Sequence, residues 1–139
     1  MLLDRLLFSS DVPALMKKSL DFNSARHLLI SSNISNVDTP GYKAHDLDFS
    51  EQLRRVMSTG SSVPLKATHP VHFMDSKAAL KSLQPIPFAT EDASKSNGNN
   101  VNMDKEMAHL AENQIRYNAV SQLMMKRGST IRSAILEVA

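Results

Sequence analysis

Two histidines three apart, His69 and His72 in "HPVH", are the first pair in this 139-residue chain whose type and spacing could do chemistry. Imidazoles at that spacing can hold zinc, but Pro70 between them works against a helical presentation, and the chain has no cysteine to complete a ligand set. Asp46, Asp48 and Glu51 gather carboxylates within six residues, yet carboxylates just before a helix serve more often as caps than as an acid/base pair. Neither a nucleophile elbow, a phosphate-cradling glycine loop nor a His-Glu-x-x-His pattern occurs. No enzyme, cofactor, metal site or small-molecule substrate is therefore expected. A third cluster is of another kind. In "SNISNVDTPGYKA" (32–44), Asn33 and Asn36 sit three apart at the end of a helical pattern, followed at once by Asp38, Thr39, Pro40, Gly41 and Tyr42.

The turn chemistry of this cluster is readable. Pro40 disfavours helix at Thr39 and presets the first central position of a type II turn, and Gly41 can take the positive φ that the second requires. Asn36 tolerates the left-handed conformation at a helix end, and Asp38 can bond backbone amides two residues on. The helix should end abruptly and Tyr42 should leave in a set direction. Nothing in that account needs Asn33. An amide beside an apolar stripe can fix helix register at some cost in stability, or it can simply face water.

Three zones must position these residues: an N-terminal helix and turn (1–43), an irregular middle segment (44–101) and a C-terminal helix (102–139). The first helix is expected over 11–37. Leu15, Phe22 and Leu29 recur every seven residues on it, with Ile30 and Ile34 widening the stripe. The last zone carries the strongest pattern. Met103, Leu110, Tyr117, Met124, Ile131 and Val138 form six heptad-spaced apolar positions, with companions at 107, 114, 121, 128 and 135. A helix over 103–138 would reach roughly 50 Å, with Gly128 as a weak point or a place of close helix approach. In the middle, 48–57 reads as a short helix with Ser50 as N-cap, 62–75 as extended strand or loop, and 84–100 as a mobile polar loop. The fold expected is mainly α: the two terminal helices paired as a coiled-coil-like core, with a small irregular middle segment holding a short helix and room for extended strands. Leu28, Ile30 and Ile34 on one helix and Ile115, Val120 and Leu123 on the other give each a second apolar face. Such faces either meet other molecules or are covered by the middle segment, and the periodicity favours association.

Composition agrees with a structural role. Sixteen cationic and fourteen anionic residues are interspersed for a net charge of +2, so no nucleic-acid stripe appears. Eight Met, five Phe, two Tyr and no Trp supply a soft core. The opening "MLLDRLLFSSDVP" is broken by Asp4 and Arg5 and lacks the form of a secretory signal, so any passage out of the cytoplasm is expected to need no cleaved leader.

"SSNISNVDTPGYKAHDLDF" (31–49) resembles the signature of the bacterial flagellar axial proteins, the rod and hook proteins, which runs Asn-x-x-Asn-x-x-Thr-Pro-Gly-Tyr near the N-terminus. Asn33, Asn36, Thr39, Pro40, Gly41 and Tyr42 fill every position. The continuation "KAHDLDF" is similar to that of the FlgB family of proximal rod proteins; another rod subunit of the FlgC type, which should diverge after Tyr42, is the alternative within the same class. The likeness extends to "LDRLLF" (3–8) and to 99–124, and only weakly to the middle zone. Ser32 and Ser35 stand where alanine is common. The resemblance implies a structural subunit that polymerises into the proximal rod of the basal body, transmits torque and lines an export channel. It implies partners: further copies of the chain, other rod proteins, the rod-to-membrane-ring adaptor and membrane ring, and the type III export apparatus, with a periplasmic location. A soluble helical adaptor or export chaperone is the alternative of a different class, and it leaves the motif unexplained.

Overall fold

The computed structural model describes residues 12–59 and 83–136. Its longest element, α3 (Met103–Leu136), runs 34 residues, about 51 Å at 1.5 Å each. Asn102 starts it: its side-chain oxygen accepts the Lys105 N–H at 3.2 Å and its carbonyl the Glu106 N–H at 3.0 Å. The helix passes through Gly128 unbroken, and nothing lies within 4 Å of where a Cβ would stand there, so no neighbour among the described residues exploits the missing side chain. The other helices are α1 (Val12–Ser35) and α2 (Phe49–Thr59). Two short strands, β1 (His45–Asp46) and β2 (Phe88–Ala89), pair antiparallel with His45 opposite Ala89.

The two long helices lie antiparallel. Asn33, near the end of α1, bonds Glu106, near the start of α3, and further along α3 Asn113 donates to Asn23 O, further back on α1. The row of α3 that faces α1 is not the expected seam. Glu106 and Asn113 are buried, whereas Met103, Tyr117 and Met124 keep 40 % exposure and the expected companion Met107 keeps 52 %. Leu110 and Ile131 are partly buried, and Val138 lies outside the described residues. The true companion row stands three residues after 103, 110 and 117, not four. Its occupants are Glu106, Asn113 and Val120, and a search for apolar periodicity passes over a row that is half polar.

Apolar packing is concentrated on α1. Phe22, Leu47 and Leu83 form a buried cluster, with Ala25, Leu29 and Phe49 against it. The Phe22 and Phe49 rings stand 4.9 Å apart at 57°. The middle segment therefore folds back over one face of α1, while Leu28 remains 69 % exposed. Lys18 Nζ donates to Leu83 O at 2.9 Å, and Gln52 exchanges two hydrogen bonds with the Ile86 backbone, pinning α2 and the segment 83–90 in place.

Three local expectations change. The cap of α2 is Asp48, whose carboxylate accepts the Glu51 N–H at 3.1 Å; Ser50 lies inside the first turn. The Asp48-x-x-Glu51 spacing is that of a capping box, and it outcompetes a hydroxyl two residues later. The segment 84–100 is not loop throughout: it carries β2 and ends in buried Asn99 and Asn100. The strand-or-loop reading of 62–75 and the pair His69/His72 lie outside the described residues.

Candidate functional site: an asparagine-lined corner joining the two helices

The end of α1 tightens before it stops. The Asn36 N–H is shared between Ser32 O and Asn33 O, both at 3.1 Å, and the Val37 N–H donates to Ile34 O at 3.3 Å. Asn36 does not turn left-handed; no non-glycine residue among those described has positive φ. Its side chain closes the helix instead. Nδ2 donates to Ser32 O at 2.8 Å while Oδ1 accepts the Thr39 hydroxyl at 3.1 Å, and Thr39 N–H donates to Asn36 O. That explains the three-residue spacing from Asn36 to Thr39. Asp38 is exposed, and two residues beyond it stands Pro40, which has no N–H to offer.

The turn itself follows the expectation. Tyr42 N–H donates to Thr39 O at 3.3 Å across Pro40-Gly41, and Gly41 holds φ at 72°, the second central position of a type II turn. It sends Tyr42 back over the helix it has just left. The hydroxyl of Tyr42 donates to Asn33 Oδ1 at 3.2 Å and lies 3.2 Å from Ser32 Oγ.

Asn33 is the hub. Its Nδ2 donates to His45 O at 2.8 Å and to Glu106 Oε2 at 3.0 Å; its Oδ1 accepts from the His45 N–H at 3.1 Å and from Tyr42. Every bond a primary amide can make is made, at 1 % exposure. Towards His45 the side chain behaves as a neighbouring strand would, giving and taking one backbone bond, and so it seals the side of β1 that β2 does not cover. No other short side chain offers a donor pair and an acceptor pair in one plane, which is the physical answer to why an asparagine stands here.

A second set of asparagines arrives from the other side. Asn99, fully buried, donates Nδ2 to Asn36 O and Thr39 O, both at 2.8 Å, and so holds the turn that follows α1 from sixty residues away. Asn100 accepts the Ala44 N–H at 2.7 Å and donates to Thr90 O at 2.9 Å, bridging the two strand extensions. Gly41 N–H donates to Asn97 O at 3.0 Å, and Lys43 Nζ reaches Gly98 O at 2.9 Å. Asn99→Ala is expected to take one of two donors from each of the Asn36 and Thr39 carbonyls, which keep the Thr39 and Tyr42 N–H groups, and to leave the Val101 N–H without its acceptor Asn99 Oδ1, at about 2 kcal/mol. Amide exchange at Asn36, Thr39 and Tyr42 should then accelerate while the centre of α3 is unchanged; equal acceleration in α3 would count against a local hold on the turn.

Below the corner, Arg26 and Asp46 form a bidentate pair, both contacts at 2.7 Å, with Glu112 of α3 4.0 Å from the same guanidinium. Burial opposes ionisation of Asp46, but Arg26 and the Leu47 N–H outweigh it and hold the carboxyl below its usual range; the same pairing raises Arg26. A carboxyl with a depressed folded-state pKa contributes its stability in full above the unfolded value, about 3.9, and loses it as pH falls through the lower folded value. Asp46→Asn is therefore expected to lower stability by about 2 kcal/mol near neutrality, and the gap to the parent chain should narrow below about pH 4. Urea midpoints against pH test this; a gap that stays constant into acid would contradict it.

A cleft of about 230 Å³ beside this pair is lined by Phe22, Arg26, Asp46, Phe49, Glu112 and Arg116. Its arginines are already engaged: Arg26 with Asp46, and Arg116 with Glu112 at 2.6 Å. Among the described residues no group of three or more metal-type side chains comes together, and no helix is long and apolar enough to cross a membrane. The hydrogen bonds of the corner fix where one long helix ends, where the other begins and how the two are joined.

The structure thus brings Asn33, Asn36, Thr39, Pro40, Gly41 and Tyr42 together, with Phe22 and Ile30 buried on the same helix and Leu15, Leu29 and Ile34 partly so. Sequence reasoning missed Asn99, Asn100, Asn113 and Arg26, and it gave Asp46 and Glu106 no part in joining the helices. A signal existed for some of them: "NNVN" (99–102) places three asparagines around one apolar residue directly before a helix, too many for a single N-cap.

Comparison with known proteins assigns the chain to a class, the rod proteins of the flagellar basal body. The family model described as "Flagella basal body rod protein" matches residues 29–43, the segment that carries Asn33 through Tyr42. The chain is 36 % identical over 105 residues to the flagellar basal body rod protein FlgB of Yersinia enterocolitica, covering 73 % of this chain and 76 % of the relative. Against FlgB of Bacillus subtilis (strain 168) it is 32 % identical over 129 residues, 93 % and 95 % of the two. Against that of Escherichia coli (strain K12) it is 32 % identical over 105 residues, 73 % and 75 %. The chain belongs to the FlgB family, structural subunits of the proximal rod of the flagellar basal body.

Proposed function

We propose that this chain acts in the rod as a stiff two-helix strut, its helix crossing set by the asparagine corner and its remaining apolar stripe buried by neighbouring subunits. One observation carries the reading. On α3, Met103, Met107, Met125 and Leu136 lie along one stripe and are 40 %, 52 %, 64 % and 67 % exposed, on a helix whose adjacent face is already held by α1. Met107 and Met125 are eighteen residues apart, which is five helical turns, so they point the same way. Methionine suits a contact repeated against unequal neighbours, because its flexible thioether adapts to different shapes. Further copies of the chain and other rod proteins are the occupants this reading assigns. Met103, Leu110, Tyr117, Met124 and Ile131 would border their seam, and the segments 1–43 and 102–139 would act as one unit.

In this reading torque passes along the long helices and the corner resists their splaying. The subunit would travel through the flagellar type III apparatus into the periplasm, assemble around the export channel and engage the rod-to-ring adaptor at the membrane ring. Replacing Met107 and Met125 by glutamate tests the reading in cells that carry only the altered chain. Rods and swimming should be lost while the exported subunit is still folded; normal rods would reject the stripe as an interface.

A further inference from the structure

The corner contains one chemically labile bond. Asn97 is followed by Gly98, and a glycine presents its amide nitrogen to the preceding side chain with no Cβ in the way. In an open chain that nitrogen attacks Asn97 Cγ, the side-chain nitrogen leaves as ammonia with the proton of the attacking N–H, and a succinimide ring closes. Water then opens the ring at either carbonyl. One opening gives aspartate; the other gives isoaspartate, in which the main chain runs through the former side chain and is one carbon longer.

In the folded corner the groups this reaction needs are engaged elsewhere. Gly98 N–H donates to Lys95 O at 2.9 Å, Asn97 Oδ1 accepts the Asn99 N–H at 3.1 Å, and Asn97 O accepts the Gly41 N–H at 3.0 Å. Gly98 is fixed at φ 80°, and a Cβ built on it would stand 3.6 Å from Gly41 Cα, so the two backbones run side by side with little slack. Asn97 is exposed, so water reaches it. Two residues on, Asn99 holds the turn after α1, which ties the covalent state of this peptide to the integrity of the whole corner.

We propose that Asn97–Gly98 is a fold-gated deamidation site: it reacts in chains whose corner is open, and the isoaspartyl product cannot rebuild the corner. An extra main-chain carbon at 97 displaces either the bond to Gly41 or the placement of Asn99. The aspartyl product, by contrast, keeps the oxygen that accepts from Asn99 N–H. The consequence is selective, since chains that stay unfolded longest acquire a lesion that weakens their later folding. This inference does not depend on the rod reading.

Peptide mapping by mass spectrometry tests the gate. The full chain is incubated folded, and in urea, at the same mildly alkaline pH, and conversion at Asn97 is followed. The folded chain should react about tenfold more slowly or better, the factor that a modest local opening energy imposes. Asn99→Ala, without urea, should raise the folded rate severalfold. Equal rates in the folded and unfolded chain, or no response to Asn99→Ala, would overturn the gating. For the second half, Asn97→Asp should refold with the parent urea midpoint, while chains aged unfolded and shown by enzymatic isoaspartyl methylation to carry isoaspartate should refold with a lowered one. An unchanged midpoint for the isoaspartyl chains would overturn it.

Discussion

Asn33→Asp is expected to cost about 4 kcal/mol of folding stability, a large part of the roughly 5–15 kcal/mol that a domain has. The change swaps one nitrogen for oxygen and alters almost no volume. Yet that nitrogen donates at 2.8 Å to His45 O and at 3.0 Å to Glu106 Oε2, so both bonds become contacts between acceptors at a buried position. Asn33→Ala should cost less, about 3 kcal/mol, because it removes the bonds without adding a second carboxylate against Glu106. Two rescues make the assignment specific. Lowering the pH to about 5 should recover part of the loss by protonating one carboxyl of the crowded pair, whose buried proximity raises its affinity for protons. The double change Asn33→Asp with Glu106→Gln should also recover part, since the donor now comes from α3 and only the His45 carbonyl stays unpaired. Urea midpoints for the three variants at two pH values decide the matter. If Asn33→Asp lies within about 1 kcal/mol of the parent, the hub role assigned to Asn33 is wrong.

The second large effect concerns assembly and leaves the subunit's own fold intact. Met107→Glu with Met125→Glu places two charges about 27 Å apart on the exposed stripe of α3. In the isolated chain both side chains face solvent, and the urea midpoint should move by no more than about 0.5 kcal/mol. In an assembly that covers the stripe, each change loses the burial of a Met side chain, about 2 kcal/mol, and adds the desolvation of a carboxylate. A loss of about 4 kcal/mol per contact corresponds to roughly a thousandfold weaker association. Sedimentation of the chain mixed with rod partners would show it. The pair Met107→Leu with Met125→Leu should retain association, which separates loss of an apolar face from loss of a particular side chain. Unimpaired association of the glutamate variant would mean that another surface, Leu28 and its surroundings on α1 first among them, makes the contact.

These two cases mark how far the sequence could be read. Helical zones, their approximate ends and the type II turn follow from nearest-neighbour chemistry: apolar spacing, a Pro-Gly pair, an Asn cap. Such signals lie within a few residues of one another, so they are legible in the linear chain. The expected seam on α3 was displaced because partner choice depends on what the other helix presents. Asn33 and Asn23 O present hydrogen-bonding groups, and these select Glu106 and Asn113 over the neighbouring methionines. The exchange is incomplete among the described residues, where the buried Asn113 Oδ1 has no hydrogen-bond partner.

By itself, then, the sequence determined that the chain is two long helices with a sharp stop after Asn36, and its Asn-x-x-Asn-x-x-Thr-Pro-Gly-Tyr pattern pointed to the flagellar axial proteins. Only the tertiary structure decided what the asparagines do. The bonds of Asn33 to Glu106 and of Asn99 to Asn36 and Thr39 span 60 to 73 residues of chain. An amide side chain satisfied by water and one satisfied by a distant backbone are the same letter until the fold closes around them.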